Sequence, residues 1–335
     1  MSESRATSED VAQLAGVAQS TVSRVFSNSS RISEATRQKV LEAASHLGYR
    51  PNNLARSLIT KQSLLIGIVM AGIDTAFSPY VLEKLTLRLQ ADGYKVLLFN
   101  VGQALSADDL LPAALDYQVD GLITTSAIVS DEMVEVCARF KTPLILFNRR
   151  IKNETINTVN ADDYGGGSLA AKAMMAAGIQ HPAFISGPTN TSTSQDRRQG
   201  FVETLAEQGY APPIESLGDL SYDSAFQATR ELMRHPNKPD GFFAASDLMA
   251  MGVLDALRYE LGYQIPETIQ VIGFDDIPAA AHLAYQLTTI RLDVDLMINE
   301  TLEILKRHLQ QKSQQIEQIT TPVVYVERKT LVRKH

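Results

Sequence analysis

The chain has 335 residues, 44% of them hydrophobic and 21% charged, which suits a globular protein of more than one domain and excludes a disordered or fibrous one. Its single cysteine, Cys137, excludes an intrachain disulfide framework. The formal charge is −7, yet the first 61 residues carry eight Lys/Arg against five Asp/Glu, so a basic head precedes an acidic body and affinity for phosphate belongs to that head.

Residues 1–7 contain no hydrophobic signal core, and the longest apolar run, 64–73, is far too short to span a bilayer. A cytoplasmic protein with no membrane partner is expected. Residues 7–25 read TSEDVAQLAGVAQSTVSRV. Val11, Leu14 and Ala15 make one apolar stripe, and Val22 and Val25 make another at i, i+3. Two short helices are predicted, joined by a tight turn at Gly16. Thr7 is placed to cap the first, with Asp10 completing an imperfect capping box. The second helix opens on Gln19, Ser20, Thr21, Ser23 and Arg24, a set of short polar groups and one Arg that suits a DNA major groove. An ordinary surface hairpin is the alternative these two helices leave open.

A third helix is predicted from its cap Ser33 through Val40, Leu41, Ala44 and Leu47 to Gly48. Residues 52–58 make a poor helix alone, being seven residues with two Asn and one apolar edge of Leu54, Ala55 and Leu58. After a polar linker at 60–63, strands and helices alternate. Strands are predicted at 64–70, 94–99, 121–124, 143–147, 183–185, 241–245 and 268–273. Helices are predicted at 80–90 and 108–117, around Cys137, from about 199 to 208, at 226–233, through Ala250 and Leu257, and at 296–309, with a last strand at 322–326. Two runs of β-α units predict an α/β core of two doubly wound parallel lobes, with a cleft where the carboxyl ends of their strands face each other.

The head resembles the DNA-binding end of the LacI/GalR family of transcriptional regulators. The resemblance rests on DVA at 10–12, AGV at 15–17, STVSRV at 20–25, TRQKV at 36–40, GYRPN at 48–52 and ARSL at 55–58. Two positions depart from the pattern: Ala18 replaces the Ser that commonly caps the second helix, and Ser27-Asn28 stands where the family often has one Asn after two apolar residues. The resemblance continues less specifically over nearly the whole length. It implies a helix-turn-helix head (1–48), a hinge helix and linker (49–61) and a bilobed core like that of periplasmic sugar-binding proteins (62–335). One lobe would hold about 62–161 and 293–319, the other about 162–290 and 320–335. Crossings are expected near Asp162, Thr289 and Thr320.

Arg24, Gln19, Ser20 and Thr21 are read as the groove readers, Arg suiting guanine and Gln adenine, with Thr7 and Ser23 as further candidate DNA contacts; by the resemblance, Gln19 and Ser20 fall on specificity positions. The segment of Asn52, Ala55 and Leu58 would fold on DNA against its dimer mate, with Leu58 wedged into the minor groove. Arg197, at the opening of a helix, and Asp275 and Asn148, at strand ends, match effector-binding positions, and Phe77 stands where the family often presents an aromatic, with core packing as the alternative. A planar donor fork, a carboxylate and an amide suit a polyhydroxylated ligand, a sugar or sugar acid, with a nucleobase as the alternative. Arg197, read on the first turn of its helix, opposes the dipole and calls for an acidic partner or ligand.

Other motifs are read as structural. The run DDYGGG at 162–167 lacks the spacing of a phosphate loop and is taken as a strand-to-helix turn, and Asp247 is taken as a cap or a ligand contact. No Gly-x-Ser-x-Gly, His-Glu-x-x-His or paired cysteines occur, so no catalytic residue, metal or cofactor is expected. A transport binding protein would share the lobes but not the head. The expectation is a repressor controlled by a small polar ligand, acting as a homodimer on a near-palindromic operator. No apolar heptads follow Val326, so a dimer rather than a coiled-coil tetramer is expected.

Overall fold

The computed structural model describes residues 6–26, 32–50, 62–71, 75–102, 107–125, 129–151, 155–310 and 315–332. The chain divides into two units, Met1–Ser63 and Leu64–His335.

The first unit contains helices α1 (Ser8–Ala15), α2 (Gln19–Phe26) and α3 (Glu34–His46). Thr7 caps α1 through a complete reciprocal box. Its Oγ1 accepts from the Asp10 N–H, while the Asp10 carboxylate accepts from the Thr7 N–H at 2.8 Å. Gly16, at φ 64°, terminates α1 in the left-handed conformation that costs a residue without Cβ little. Val11, Ala12, Val22, Val25, Val40, Ala43 and Ala44 form the core, with Phe26 against Tyr49 at 5.7 Å between ring centres. Leu14 is 52% exposed and Leu41 41% exposed, so they are not core residues. The buried stripe of α1 runs through Ala12 instead, a small side chain that lets the helices approach closely.

The second unit carries two six-stranded sheets. The first lobe's sheet is ordered β11-β5-β4-β3-β1-β2, with β1 Leu65–Ala71, β2 Lys95–Val101, β3 Gly121–Thr125, β4 Leu144–Phe147, β5 Asn157–Ala161 and β11 Gln318–Thr321. The second lobe's sheet is ordered β12-β10-β9-β8-β6-β7. It contains β6 Pro182–Ser186, β7 Ile214–Leu217, β8 Gly241–Ala244, β9 Gln270–Asp275, β10 Thr288–Leu292 and β12 Val323–Val326. All pairings are parallel except β10 with β12, which is antiparallel.

Helices α4 (Phe77–Ala91), α5 (Ala107–Asp116), α6 (Asp131–Arg139) and α11 (Val294–Leu309) flank the first sheet, and α7 (Asp163–Ala176), α8 (Ser192–Glu207), α9 (Tyr222–Leu232) and α10 (Asp247–Asp255) flank the second. Alternation within the strands feeds both faces. Ile66, Ile68 and Met70 of β1 join Leu85 and Leu89 of α4, while Val69 joins Leu111 of α5 and Cys137 of α6 on the other face. Burial pushes the Cys137 thiol up to about 11, consistent with a structural role. No helix among the described residues is long and apolar enough to cross a membrane.

The chain passes from sheet to sheet at Asp162, at Asp293 and at Pro322. Both aspartates act as helix caps at the crossing, accepting from the Gly165 and Leu296 N–H groups. The sequence reading omits β5, β7, β10 and β11. Strand β5 reads NTVNA, and polar side chains hid it, although all five residues are buried. Partners far along the chain meet this polarity: Asn157 Oδ1 accepts from the Glu317 N–H at 3.0 Å, and the Thr158 N–H donates to the Glu317 carbonyl at 2.9 Å.

Candidate functional sites

On α2, Val22 and Val25 face the core while Gln19, Ser20, Ser23 and Arg24 are exposed and Thr21 is half-buried. This is the amphipathic split that lets one face pack and the other read a partner. Ala18 offers no side-chain oxygen to cap α2, and its carbonyl accepts from the Val22 N–H. Gln19 is held by a bond from its Nε2 to Ser8 Oγ at 2.9 Å, which ties the two helices of the turn together. Thr7 is exposed at the start of α1. Asn52, Ala55 and Leu58 lie outside the described residues.

In the second unit, Phe77, Asn148, Arg197 and Asp275 come from four distant segments and line one cavity of about 500 Å³. Its walls lie at the carboxyl ends of β1, β4 and β9, where ligands of open parallel sheets bind. Phe77 is the first residue of α4, half-buried, and packs on the core while also facing the cavity. Asn148 follows β4 at φ 55°. Its N–H donates to the Val159 carbonyl at 2.8 Å, and its buried Oδ1 has no hydrogen-bond partner among the described residues.

Arg197 is the anchor of the site. Its helix α8 begins at Ser192, capped by Thr191 Oγ1 accepting from the Ser194 N–H, so Arg197 lies in the second turn rather than the first. The Ser/Thr-rich opening 192–195 is helical rather than loop, so Arg197 does not oppose the dipole from the first turn. The need for acidic partners stands on other grounds, because the guanidinium is buried. Nε donates to Asp163 Oδ1 at 2.7 Å, and Nη1 donates to the Ala245 carbonyl at 2.6 Å and to Asp275 Oδ1 at 3.3 Å. The guanidinium also lies 3.7 Å above the centre of the Phe274 ring. Burial opposes its charge, and Asp163 and Asp275 more than offset that, raising its pKa.

The glycine run at 165–167 makes this possible. It lies inside α7, where Asp162 caps the helix, and is not a loop. A Cβ on Gly167 would overlap the Arg197 carbonyl, and one on Gly200 would overlap the Tyr164 carbonyl. The two helices therefore touch backbone to backbone, which brings Asp163 of α7 to Arg197 of α8.

Asp275 ends β9 at φ 116° and Asp276 follows at φ 58°, a strained corner for non-glycine residues. Two anchors hold it. Asp247 accepts from the Ile277 N–H at 2.9 Å and from Thr289 Oγ1 at 2.5 Å, and Asp276 pairs with Arg291 and Arg328, each at 2.6 Å. Asp247 is thus a corner brace beneath the site. Ser246 caps α10, and Ser246 and Leu248, its chain neighbours, line the cavity. Burial pushes the Asp275 carboxyl up to about 7 against the pull of Arg197. Burial and the Asp275 charge raise Asp247, and burial raises Asp163 against Arg197.

Two cavity features were missed in the sequence. Arg149 is buried in the wall, and burial, then Arg197, lowers its pKa to about 10. Tyr222 also lines the cavity, with its hydroxyl turned away to donate to Asp255 Oδ2 at 2.8 Å. Arg149 directly follows Asn148 at a strand end, which was the available signal. Tyr222 had none, because its helix was placed four residues too late.

Both units have counterparts among known proteins. Residues 7–52 match the model of bacterial regulatory proteins of the lacI family, and residues 171–331 match that of a periplasmic binding protein-like domain. The ribose operon repressor of Halalkalibacterium halodurans is 31% identical over 97% of this chain and 96% of its own length. The sucrose operon repressor of Streptococcus mutans is 33% identical over 90% of this chain and 92% of its own. The crystal structure of the lac repressor dimer bound to operator and the anti-inducer ONPF superposes with a TM-score of 0.88 at 28% identity, covering 98% of this chain and 99% of that one. A complex of the transcriptional regulator CelR with cellobiose gives 0.73 at 28% identity, over 97% and 100%. The chain belongs to the LacI family of bacterial regulatory proteins and is a DNA-binding transcriptional regulator, not an enzyme.

Proposed function

We propose that this regulator is a cytoplasmic homodimeric repressor that reads a near-palindromic operator with α2 and is switched by a sugar or sugar derivative bound in the core cavity. Gln19, Ser20, Thr21, Ser23 and Arg24 contact base edges and phosphates, with Thr7 at the adjoining backbone. Residues 49–61 are the hinge, in which Asn52 and Ala55 face DNA and Leu58 is the wedge. The core spans 62–335, one lobe from about 62–161 and 293–319, the other from 162–290 and 320–335. Phe77, Asn148, Arg197 and Asp275 bind the effector without a cofactor.

The observation that carries the effector reading is the meeting of these four residues on one cavity, with the Asn148 Oδ1 buried and unpartnered there. An orphan acceptor beside a buried guanidinium and a carboxyl calls for a ligand rich in hydroxyl groups. Phe77, Leu248 and Ile277 supply apolar surface for its ring. The ribose and sucrose operon repressors and the CelR–cellobiose complex support a carbohydrate over a nucleobase. The mechanism is linkage: a ligand that prefers one lobe arrangement changes the spacing of the two hinges and thereby the affinity for operator. A coupling of about 1–3 kcal/mol changes that affinity roughly 5- to 150-fold.

Calorimetry of the full chain against pentoses, hexoses, disaccharides, sugar acids and nucleosides tests this. A sugar should bind, and Arg197→Ala, which also destabilises the core by leaving Asp163 and Asp275 without their cation, should abolish binding while operator affinity without ligand is kept at temperatures where the variant is shown to be folded. Full-affinity binding by that variant places the site elsewhere.

A further inference from the structure

Two consecutive arginines after β4 reach across the cleft. Arg149 Nη1 donates to Thr193 Oγ1 at 2.9 Å, and both residues are buried in the cavity wall. Arg150 makes two bonds in the same direction. Its N–H donates to Ser192 Oγ at 3.0 Å, and its Nη2 pairs with Asp196 Oδ2 at 2.5 Å. The first lobe's β4–β5 connection supplies the arginines. These three acceptors, Ser192, Thr193 and Asp196, lie in the opening turns of α8 in the second lobe, the helix that carries Arg197. The contact is graded from dry to wet, because the Arg150 side chain is 57% exposed and that of Asp196 21%.

We propose that Arg149 and Arg150 form a clasp between the lobes, positioning residues that set the fraction of molecules with the cleft closed. The buried Arg149–Thr193 bond fixes the register in which the lobes meet. The solvent-facing Arg150–Asp196 pair sets how firmly they are held, and salt weakens it. Effector affinity follows, since a ligand that requires the closed arrangement binds in proportion to its population. That last link rests on the proposed effector function; the clasp itself does not.

The test uses the full chain and reads lobe separation directly. Spin labels at E135C on α6 and E207C on α8 span the two lobes, and native Cys137 is buried with its thiol held up to about 11. Without added ligand, Arg150→Ala and Asp196→Ala should each shift the distance distribution toward longer separations. The charge-exchanged double variant R150D/D196R should restore the parental distribution. Raising salt should open the parent toward the alanine variants and leave those variants unchanged. A sugar that binds the parent should bind each alanine variant about two- to fivefold more weakly, as expected for a solvent-facing ion pair, and the exchanged pair within about twofold of the parent. Identical distance distributions in the parent and Asp196→Ala at low salt would overturn the clasp, whatever the ligand. Distances that respond while no sugar binds any variant would sink the effector reading and leave the clasp standing.

Discussion

The head and the core place their functional groups in opposite environments. On α2, Gln19, Ser20, Ser23 and Arg24 stand in solvent over a neutral core of Val and Ala. In the core, Arg197, Asp163, Asp275 and Asp247 are buried and depend on one another for their charge states. Exposed groups can be changed at little cost to the fold, while a buried ionic cluster couples function to stability. DNA contacts should therefore be separable from folding, and effector contacts on the second lobe should not.

The sharpest way to break this comparison is Asp163→Ala. Asp163 does not line the cavity, yet it holds Arg197 Nε at 2.7 Å. Removing it leaves the buried guanidinium sharing only Asp275 and a carbonyl, which should cost about 3–5 kcal/mol in stability and weaken effector binding as well. Denaturant unfolding of the variant measures this. A loss below about 1 kcal/mol would show that the cluster and the fold are independent.

The next effect is on pH dependence. Asp275 titrates at about 7 in the folded protein against 3.8 for a free side chain, so between these values the folded state binds more protons. Its contribution to stability is fully present below about pH 4, declines as pH rises, and is gone above about pH 7. The excess stability of the parent over Asp275→Asn should fall across that window by on the order of 4 kcal/mol. Paired denaturation curves at pH 5 and pH 8 test it, and an excess that rises with pH reverses the assignment.

Arg24→Ala should lower specific operator affinity by about 1–3 kcal/mol and leave unfolding unchanged. Equal affinity of the parent for operator and random duplex would remove the groove assignment. Asn148→Ala is the exception expected within the core. Its Oδ1 has no partner among the described residues to lose, so the change should cost effector binding about 1–3 kcal/mol, while stability should fall by only about 1 kcal/mol, the cost of placing Ala at φ 55°.

The same contrast governs what could be read from the sequence. The head's caps and turn are local: Thr7 with Asp10, Ser33 with Thr36, Gly16 and Gly48 all sit within a few residues of what they govern. Leu14 and Leu41 were misread as core; for Leu14 the stripe allowed either it or Ala12, and the tight packing of three short helices selected the smaller. In the core, apolar strands were legible by composition, while β5 and β10 were not, because their Asn and Thr side chains are satisfied by residues far along the chain. Thr289 of β10, for example, donates to Asp247. Phe77, Asn148, Arg197 and Asp275 could be named by resemblance to a family. Asp163 stayed hidden because its role depends on the contact of α7 with α8 through Gly167 and Gly200, and no spacing within one helix encodes that.

The smallest effect concerns Thr7, where the separation of function from folding should fail even in the head. Its Oγ1 accepts from the Asp10 N–H at 3.3 Å and donates to the Asp10 carboxylate at 2.8 Å, while its N–H holds that carboxylate and lowers the Asp10 pKa. The hydroxyl is also exposed at the start of α1, where a DNA phosphate can be reached. Thr7→Ala should therefore cost about 1 kcal/mol of head stability through the lost cap. Thr7→Ser keeps the oxygen and should restore stability. If Thr7 serves only as a cap, operator affinity in both variants will track the folded fraction of the head, measured by thermal unfolding. If it also contacts DNA, Thr7→Ala will lose affinity at temperatures where the head is fully folded, and the salt dependence of binding will become shallower.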